Sequence, residues 1–456
     1  MCERRRDCWG VFNISGGWPM LSIKGQKWRN WTGNVEGTPH YTMYPESIQD
    51  VVEVIELARK KGKKIRVVGS GHSFTPLVQT EEILVSLDEM KGIVNIDTEK
   101  MVAEVWAGTK LHELGKLLEE KGYAQENLGD IDSQSIAGAI STGTHGTGIT
   151  FGSLSTQVIE ITAVLSTGET IVCSETENVE YWRAFQLSLG MLGIIVRIKL
   201  SIIRAYSLVY ESEKQSLATV MNKLEEYKKN RHFEFFVFPY SDEVQVKVTN
   251  ETTGKKSDLK WHKLKVELLE NKMFSLLSKG CKWFPSISKG VSRLSAKAVP
   301  NTKIIGPSYE VFATSRTVPF YEMEYSVPSK YMQAVVEEIS NLIEKKKYKV
   351  HFPIECRYVK RDEIWLSPAY GRDSAYIAVH MYKGMKYAAY FGEVEKIFLK
   401  YEGRPHWGKM HTLTYGKLQN IYPELHSFLK VRKLLDEAEM FSNPYTEKLF
   451  TIMKKS

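Results

Sequence analysis

The chain has few cysteines, and none of them are paired in a way that builds a framework. Five cysteines are spread over 456 residues, and no two of them form a C-x-x-C pair. Disulfide scaffolds and structural zinc sites need closely spaced cysteines, so the sequence predicts neither, and we predict no metal site. This usage fits a reducing compartment, and we expect a cytoplasmic protein, with peripheral membrane association left open.

Long apolar runs are also missing. A membrane-spanning helix needs about 18 or more consecutive apolar residues, whereas the apolar stretch "LGMLGIIVRIKLSII" is interrupted by Arg197 and Lys199. The first 20 residues carry arginines without the apolar core that follows them in a signal peptide. We therefore predict no transmembrane segment, and we interpret residues 1–35 as an N-terminal leader and the start of the first domain.

The composition lacks low-complexity tracts and is typical of a globular protein, with 25% charged and 43% hydrophobic residues. The net charge of +8 comes from scattered cations, which are densest at residues 60–64 and 345–349. Both runs end helical patterns, where cations are favourable. We interpret them as solvated helix ends, with an anion or nucleic-acid patch as the alternative, and we predict no nucleic-acid partner.

Helix and strand patterns are mixed in the first half of the chain. Ser47 is a plausible cap for a helix whose apolar residues recur at helical spacing, and the buried strand "IRVV" follows that helix. The segment "QVIEITAVLSTGETIVCS" predicts a β-hairpin that turns at Thr167 and Gly168. These patterns indicate an α+β domain over residues 36–206.

The pattern changes near Tyr206. Amphipathic helices such as "SLATVMNKLEEYKKN" and "KYMQAVVEEISNLIEKKKY" then alternate with aromatic-rich strands such as "HFEFFVFP", "FYEMEYSV" and "AYIAVHMY". This alternation predicts a second domain over residues 207–404, built on an antiparallel sheet covered by helices. Residues 405–456 form a separate C-terminal segment.

A glycine turn follows the strand "IRVV". Gly69 and Gly71 match the start of a dinucleotide fingerprint, but Phe74 occupies the third glycine position and Pro76 argues against a following helix. An NAD-type site is therefore not favoured. Successive amides of such a turn can still wrap an anion, and the alternative is a plain tight turn.

A second glycine-rich segment, "NLGDIDSQSIAGAISTGTHGTG", spans residues 127–148. We interpret it as a loop without side-chain bulk, so that a planar or anionic group can lie against its backbone. Two such loops in one α+β domain suggest one elongated, phosphate-bearing cofactor between them. The alternative is two unrelated flexible loops.

Seven segments in a fixed order carry a resemblance to a known family. They are "VVGSGHSF", "NLGDIDSQSIAGAISTGTHGTG", "LGMLGIIVRIKL", "HFPIECRY", "LSPAYGRDSAYIAVHMY", "GRPHWGK" and "YPELHSFLKVRKLLDEAEMFSNPY". Together they resemble the vanillyl-alcohol-oxidase-type flavoproteins, and within them the aldonolactone oxidases, to which the alditol oxidases are related. The resemblance implies a two-domain FAD-binding (PCMH-type) α+β fold with an antiparallel-sheet cap domain, whose C-terminal segment returns to the flavin.

The resemblance also implies which residues bind FAD. His72 matches the histidine that often bonds the flavin 8α-methyl group through a ring nitrogen, and a neutral imidazole can supply that nucleophile. Noncovalent FAD beside a hydrogen-bonded His72 is the alternative. The implied cofactor-binding residues are Val68, Gly69, Ser70, Gly71, His72, Ser73, Phe74, Ser135, Gly138, Gly143, Thr144, His145, Gly146, Ile195, His406 and Lys409.

The segment "PIECRYV" places Glu355 and Arg357 two residues apart on a probable strand, so both project from one face. Such a pair could grip a polyhydroxylated substrate, and the alternative is a surface salt bridge. The resemblance implies that Glu355 and Arg357 are catalytic and bind substrate together with Ser135 and Tyr382. It also implies that Lys409 stabilises reduced flavin.

We therefore expect an FAD-dependent oxidoreductase that acts on a sugar-derived lactone. By resemblance, an L-gulono-1,4-lactone-type substrate is oxidised at its C2 hydroxyl by hydride transfer to flavin N5, and O2 reoxidises the flavin to give H2O2. Tyr382 favours the lactone, because alditol oxidases carry threonine there. The alternatives are an alditol oxidase acting on a terminal hydroxyl of xylitol- or sorbitol-type polyols, and a noncatalytic flavin- or nucleotide-binding protein.

Overall fold

The computed structural model describes residues 10–12, 20–259, 264, 271–313 and 318–451. Most of the predicted leader, at residues 1–9 and 13–19, lies outside the described residues. Within the described part of the chain, no helix is both long enough and apolar enough to cross a bilayer.

Twenty-two strands are present among the described residues. In chain order they are β1 (Gly10–Phe12), β2 (Met20–Lys24), β3 (Trp28–Arg29), β4 (Glu36–Gly37), β5 (Tyr41–Tyr44), β6 (Ile65–Val68), β7 (Ile83–Ser86), β8 (Ile93–Asp97), β9 (Val102–Trp106), β10 (Tyr123–Ala124), β11 (Val158–Val164), β12 (Thr170–Ser174), β13 (Ile194–Ser201), β14 (Ile203–Arg204), β15 (Ser207–Ser216), β16 (His232–Val237), β17 (Glu243–Thr252), β18 (Thr302–Pro307), β19 (Phe320–Pro328), β20 (Ile354–Val359), β21 (Ser374–Tyr382) and β22 (Arg404–Pro405).

The α-helices are interspersed with these strands along the described chain. In order they are α1 (Ile48–Lys61), α2 (Leu111–Glu119), α3 (Ile136–Thr142), α4 (Val179–Phe185), α5 (Leu217–Asn222), α6 (Leu224–Tyr227), α7 (Phe274–Trp283), α8 (Ser288–Lys297), α9 (Ser308–Phe312), α10 (Met332–Lys346), α11 (Ala388–Lys400), α12 (Tyr415–Ile421), α13 (Leu425–Leu435) and α14 (Pro444–Phe450).

Two five-stranded sheets form the first half. One has the order β1-β2-β5-β7-β6, in which β5, β7 and β6 run parallel, and the other is the antiparallel sheet β12-β11-β13-β9-β8. Helix α1 begins at the predicted cap, where Ser47 Oγ accepts the Asp50 amide and Asp50 caps Ser47 in return. The predicted hairpin at Gly168 is confirmed as β11 and β12.

One eight-stranded antiparallel sheet forms the second half, in the order β18-β15-β17-β16-β20-β21-β19-β22. Helices α10 and α11 pack together and against this sheet, each burying its apolar stripe. The prediction of an α+β chain with an antiparallel second sheet covered by helices is therefore confirmed.

Two local predictions were wrong. The amphipathic helix predicted from "SLATVMNKLEEYKKN" is broken into α5 and α6, because Lys223 leaves helical geometry at φ −112° and ψ 13°. The second glycine-rich segment is not a continuous loop, since residues 136–142 form α3. Ile136 and Ala139 bury one face of α3, the Gly138 amide donates to Ser135 Oγ at 3.3 Å, and Gly143 ends the helix at φ +80°.

The C-terminal segment packs back on the first domain. The buried Arg66 guanidinium on β6 donates to the carbonyls of Leu189 (2.8 Å), Gly190 (3.1 Å) and Phe441. The Asn443 amide donates to three carbonyls of the segment that follows the first glycine turn, at residues 76, 77 and 79. Residues after β22 thus hold in place the strand that enters the turn and the segment that leaves it.

Candidate active site

The first glycine turn follows β6 and opens into a cleft. The cleft encloses about 950 Å³, counted with the solvent-open space at its mouth. Gly71 has φ +66°, a conformation that favours glycine. Within the described residues, the four amides at positions 70–73 donate to no other protein atom. Such a run of free amides is suited to an anion such as a phosphate.

The structure brings the two glycine-rich segments together in this cleft. Gly69 lies so close to Ser135 that an added Cβ would collide with the serine hydroxyl, and Gly138 approaches the same atom. The predicted cofactor residues that line the cleft are Val68, Gly69, Ser70, Gly71, His72, Ser73, Ser135, Gly138 and Ile195. The free amides, the close approach of Gly69 and Gly138 to Ser135 and the volume of the cleft fit a phosphate-bearing cofactor such as FAD.

A second cavity of about 620 Å³ adjoins the cleft. His72, Ser73, Gln134 and Thr142 line both spaces, so the two lie side by side. The predicted residues that line the second cavity are His72, Ser73, Thr144, His145, Glu355, Arg357, His406 and Lys409. Most of the predicted cofactor site thus lies in the first space, and the predicted catalytic residues lie in the second.

His72 stands at the junction of the two spaces. Its Nε2 is 2.8 Å from Ser133 Oγ, and its ring lies 6.0 Å from that of Trp31 in a stacked arrangement. Burial, with smaller contributions from Lys409 and Lys110, lowers the pKa of His72 to about 4. The imidazole is therefore neutral at physiological pH, which is the form that acts as a nucleophile.

Four neighbouring strands supply the charged wall of the second cavity. Across β19 and β21, Glu322 pairs with His380, and across β16 and β20, Glu234 pairs with Arg357. Glu355 lies two residues from Arg357 on β20, so its side chain projects from the same face of the sheet. The projection predicted for Glu355 and Arg357 is therefore observed.

Arg357 binds three carboxylates. Its guanidinium contacts Glu355, lies 2.7 Å from Glu234 through Nε, and lies 3.6 Å from Asp130. Burial disfavours its charge, yet these carboxylates raise the pKa of Arg357 well above its usual value. Glu355 is buried and the Arg357 side chain is only 11% exposed, beside a cavity, so the alternative of a surface salt bridge does not describe this pair.

Lys409 contributes a cation to the same cavity from the segment after β22. Its Nζ lies 2.5 Å from Glu322 Oε2 and 5.3 Å from the centre of the Phe74 ring. Burial favours a neutral Glu322, but Lys409 and His380 hold the pKa of this carboxyl well below its usual value. The buried Glu322 and the half-buried Lys409 therefore form an ion pair at the cavity wall.

Three buried residues beside this pair form a compact unit. His145 Nε2 lies 3.2 Å from Glu324, and His406 Nδ1 accepts the Gly408 amide at 3.1 Å. Burial lowers the pKa of His406 to about 4. One possible ligand atom each from His145, Glu324 and His406 lies within 4.8 Å of the others. The His145–Glu324 contact accounts for the closeness of those two residues, and the absence of a metal stays a prediction.

Four predicted residues line neither space. Phe74 packs its ring between those of Trp31 and Phe320. Gly143 ends α3. Gly146 packs against the Leu128 backbone beside a third, smaller cavity. Tyr382 is buried at the end of β21, with its ring 6.4 Å from that of His351.

Sequence reasoning missed several polar residues that the structure brings to the site. They are Lys110, Asp130, Ser133, Gln134, Thr142, Glu234, Glu322, Glu324 and His380. A signal was available for two of them: Glu322 and Glu324 interrupt the apolar strand "FYEMEYSV" at a spacing of two, which places both on one face. A buried carboxylate needs a cation or a hydrogen-bond donor beside it. Two acids on the buried face of a strand are therefore candidates for a functional site.

Two family models match the chain. Residues 198–449 match the model described as D-arabinono-1,4-lactone oxidase, and residues 39–174 match the model described as an FAD binding domain. The second match contains both glycine-rich segments, and the first contains Glu355, Arg357 and Lys409.

Similar proteins extend over nearly the whole chain. The chain is 36% identical to L-gulono-1,4-lactone dehydrogenase of Mycobacterium tuberculosis, over 92% of this chain and 98% of that protein. It is 31% identical to L-gulonolactone oxidase of Mus musculus, over 94% of this chain and 99% of that protein.

Among solved structures, cholesterol oxidase from B. sterolicum superposes with a TM-score of 0.81 at 16% identity, over 97% of this chain and 99% of that chain. This likeness concerns the fold alone. Together with the FAD-binding match, it confirms the predicted two-domain FAD-binding fold with an antiparallel cap domain.

Proposed function

Since the chain belongs to the D-arabinono-1,4-lactone oxidase family, we propose that it oxidises the C2 hydroxyl of an L-gulono-1,4-lactone-type sugar lactone. As the resemblance predicted, the chain is a flavoprotein oxidoreductase of the aldonolactone-oxidising family that acts on a CH–OH group. The observation that carries the proposal is the ion pair of Glu355 and Arg357 in a cavity that shares lining residues with the first cleft, where we place FAD.

The residues of the second cavity suit a polar, uncharged, ring-shaped substrate. The Arg357 guanidinium donates hydrogen bonds in a fixed plane and can bind the lactone oxygens. Glu355, held by Arg357, can accept a hydrogen bond from a substrate hydroxyl. FAD supplies the hydride-accepting ring when bound. Lys409, at the wall of the same cavity, would supply a cation that stabilises the negative charge of a reduced flavin.

His72 is proposed to carry FAD covalently. The supporting observations are its place at the junction of the two spaces, its neutral ring and its contact with Ser133. The C–N bond would replace one hydrogen of the 8α-methyl group, and the two electrons released would remain on the flavin for an acceptor to remove.

We predict that His72→Ala abolishes acid-stable flavin. Wild-type protein should remain yellow after acid precipitation and washing, because the cofactor is bonded to the chain, whereas H72A should release all of its flavin into the supernatant. The exposed His426 provides the control variant His426→Ala. Release of all flavin from the wild type would show that FAD is held noncovalently.

The substrate proposal is tested by anaerobic reduction of the purified, flavin-loaded protein. We expect L-gulono-1,4-lactone or a related aldonolactone to bleach the flavin absorbance within the mixing experiment, and xylitol to leave it unchanged. Bleaching by xylitol but by no lactone would establish the alditol oxidase. Bleaching by neither would favour a noncatalytic flavin protein.

The relatives' names differ in their electron acceptor, since one is a dehydrogenase and another an oxidase. Reoxidation by O2 stays a prediction. It is tested by reducing the enzyme with the accepted lactone and then admitting air: rapid return of the yellow colour with stoichiometric H2O2 is expected. Slow return in air, with fast return on adding an artificial dye, would establish a dehydrogenase.

A further inference from the structure

Helices α7 and α8, joined by the short turn Pro285–Ile287, leave large apolar side chains in solvent. Trp283 is 78% exposed, Leu276 71% and Phe284 67%. Single exposed apolar residues are ordinary, but several on two adjoining helices indicate an interaction site. The apolar patch consists of Met273, Leu276, Trp283, Phe284, Ile287 and Leu294.

The patch is one face of an amphipathic unit with a firm base. Leu276 and Trp283 are seven residues apart and therefore share a face of α7. The opposite face of α7 is buried, and Ser278 on it lies 2.9 Å from His351 Nε2. Phe274 packs edge-on against Phe352 at 5.0 Å. The outward side chains are thus held in place by contacts of the inner face.

The segment that carries the patch has side-chain charges of one sign. Residues 271–300 contain no aspartate or glutamate. The same thirty residues contain six cations, which are Lys272, Lys279, Lys282, Lys289, Arg293 and Lys297. All six are exposed. Exposed apolar side chains interspersed with cations along an amphipathic segment are the pattern of a helix that lies on an anionic membrane surface.

We propose that the apolar patch docks this protein on the surface of a bilayer that contains anionic phospholipid. Trp283 and Phe284 enter the headgroup region, where aromatic rings are favoured. The lysines and Arg293 lie beside lipid phosphates. The attachment that we propose is peripheral and depends on both apolar and charged contacts.

A second copy of the chain fits the patch less well than a membrane does. A twofold contact through this face would place six cations against six cations, and like charges at an interface oppose association. An anionic lipid surface neutralises all six at once. The charge pattern therefore selects the bilayer as the occupant.

The test is flotation of the full-length flavoprotein with vesicles of phosphatidylcholine, with and without phosphatidylglycerol. We expect binding to the anionic vesicles and loss of that binding at high salt, because salt screens the lysines. The patch variant Trp283→Ser/Phe284→Ser should lose at least about tenfold in partition constant, since two aromatic side chains no longer leave water. Absence of binding to anionic vesicles, or equal binding to neutral ones, would overturn the proposal.

A second variant keeps the apolar residues and removes charge. Lys272→Gln/Lys279→Gln/Lys282→Gln should weaken binding to anionic vesicles by about a hundredfold, because each cation near the surface contributes separately. The matched control, K91Q/K121Q/K430Q, removes the same charge from other exposed sites and should bind as wild type. Equal losses in the two triple variants would contradict a localised docking face.

The apolar control is Val179→Ser/Leu434→Ser, which removes two exposed apolar side chains elsewhere (54% and 73% exposed). This control should bind anionic vesicles as the wild type does. Flavin absorbance checks the folding of every variant. Sedimentation without vesicles completes the test: self-association that is lost in the patch variant would assign the patch to a second copy and overturn the membrane proposal.

Discussion

Replacing Arg357 by alanine is expected to lower kcat/KM for the lactone by about a thousandfold, because the variant loses a preorganised donor at the reacting group. It should also destabilise the fold. The guanidinium binds Glu355, Glu234 and Asp130. Removing one partner of a buried ion pair costs about 3–5 kcal/mol, since the remaining charges stay in a poorly solvated place. Steady-state kinetics and thermal unfolding measure the two effects.

Two further variants separate charge from geometry at Arg357. Arg357→Lys keeps the charge but loses the planar fork, so we expect stability close to wild type and activity between that of wild type and R357A. Adding Glu234→Gln to R357A removes one of the three acids that faced the guanidinium and should restore part of the stability without restoring activity. The gain is limited because Glu234 also pairs with Lys247 at 3.4 Å. If R357A keeps near-normal kcat/KM, the proposed site is wrong, whatever its stability.

Replacing Lys409 by methionine is expected to slow flavin reduction by about a hundredfold, because a cation no longer stabilises the negative charge of reduced flavin. The midpoint potential of the flavin should fall for the same reason. Rapid mixing with the lactone under anaerobic conditions measures the rate, and dye equilibration measures the potential. Lys409→Arg keeps the charge, and the exposed Lys417→Met controls for removal of a lysine elsewhere.

The same variant should change the pH dependence of stability. In the wild type, Lys409 and His380 hold the pKa of Glu322 below its ordinary value of 4.5. The pair therefore stabilises the fold above that pH and loses its effect as the pH falls through the lowered value. In K409M the buried Glu322 loses its ammonium partner, and its negative charge then destabilises the fold. Lowering the pH protonates Glu322 and removes this destabilisation. The difference in Tm between K409M and wild type should be largest at neutral pH and narrow below about pH 4.5; a constant difference would contradict the pairing.

The parts of the site that depend on a few consecutive residues could be predicted from the sequence. A period of two places Glu355 and Arg357 on one face of any strand, whatever lies beside it. The glycines at 69 and 71 indicate a turn. Glycine readily takes a positive φ, as Gly71 does, and it permits the close approach of another residue, as Gly69 does with Ser135. Such features depend on a few consecutive residues, so the sequence is sufficient to find them.

The missed residues depend on the order of strands in the sheet. Glu234 reaches Arg357 because β16 lies beside β20, and His380 reaches Glu322 because β21 lies beside β19. These neighbours are far apart along the chain, and no local pattern specifies their register. The break between α5 and α6 and the short helix α3 were missed for a related reason: tertiary packing overrides weak local preference in segments this short.

The contacts of the C-terminal segment have a consequence for how the enzyme is made. Arg66 joins the strand before the glycine turn to the carbonyl of Phe441, and Asn443 fastens the segment after the turn. During synthesis the glycine turn leaves the ribosome long before Phe441 and Asn443 have been added to the chain. We expect nascent chains to hold the flavin nucleotide loosely until translation has passed them, so that maturation of the holoenzyme is post-translational.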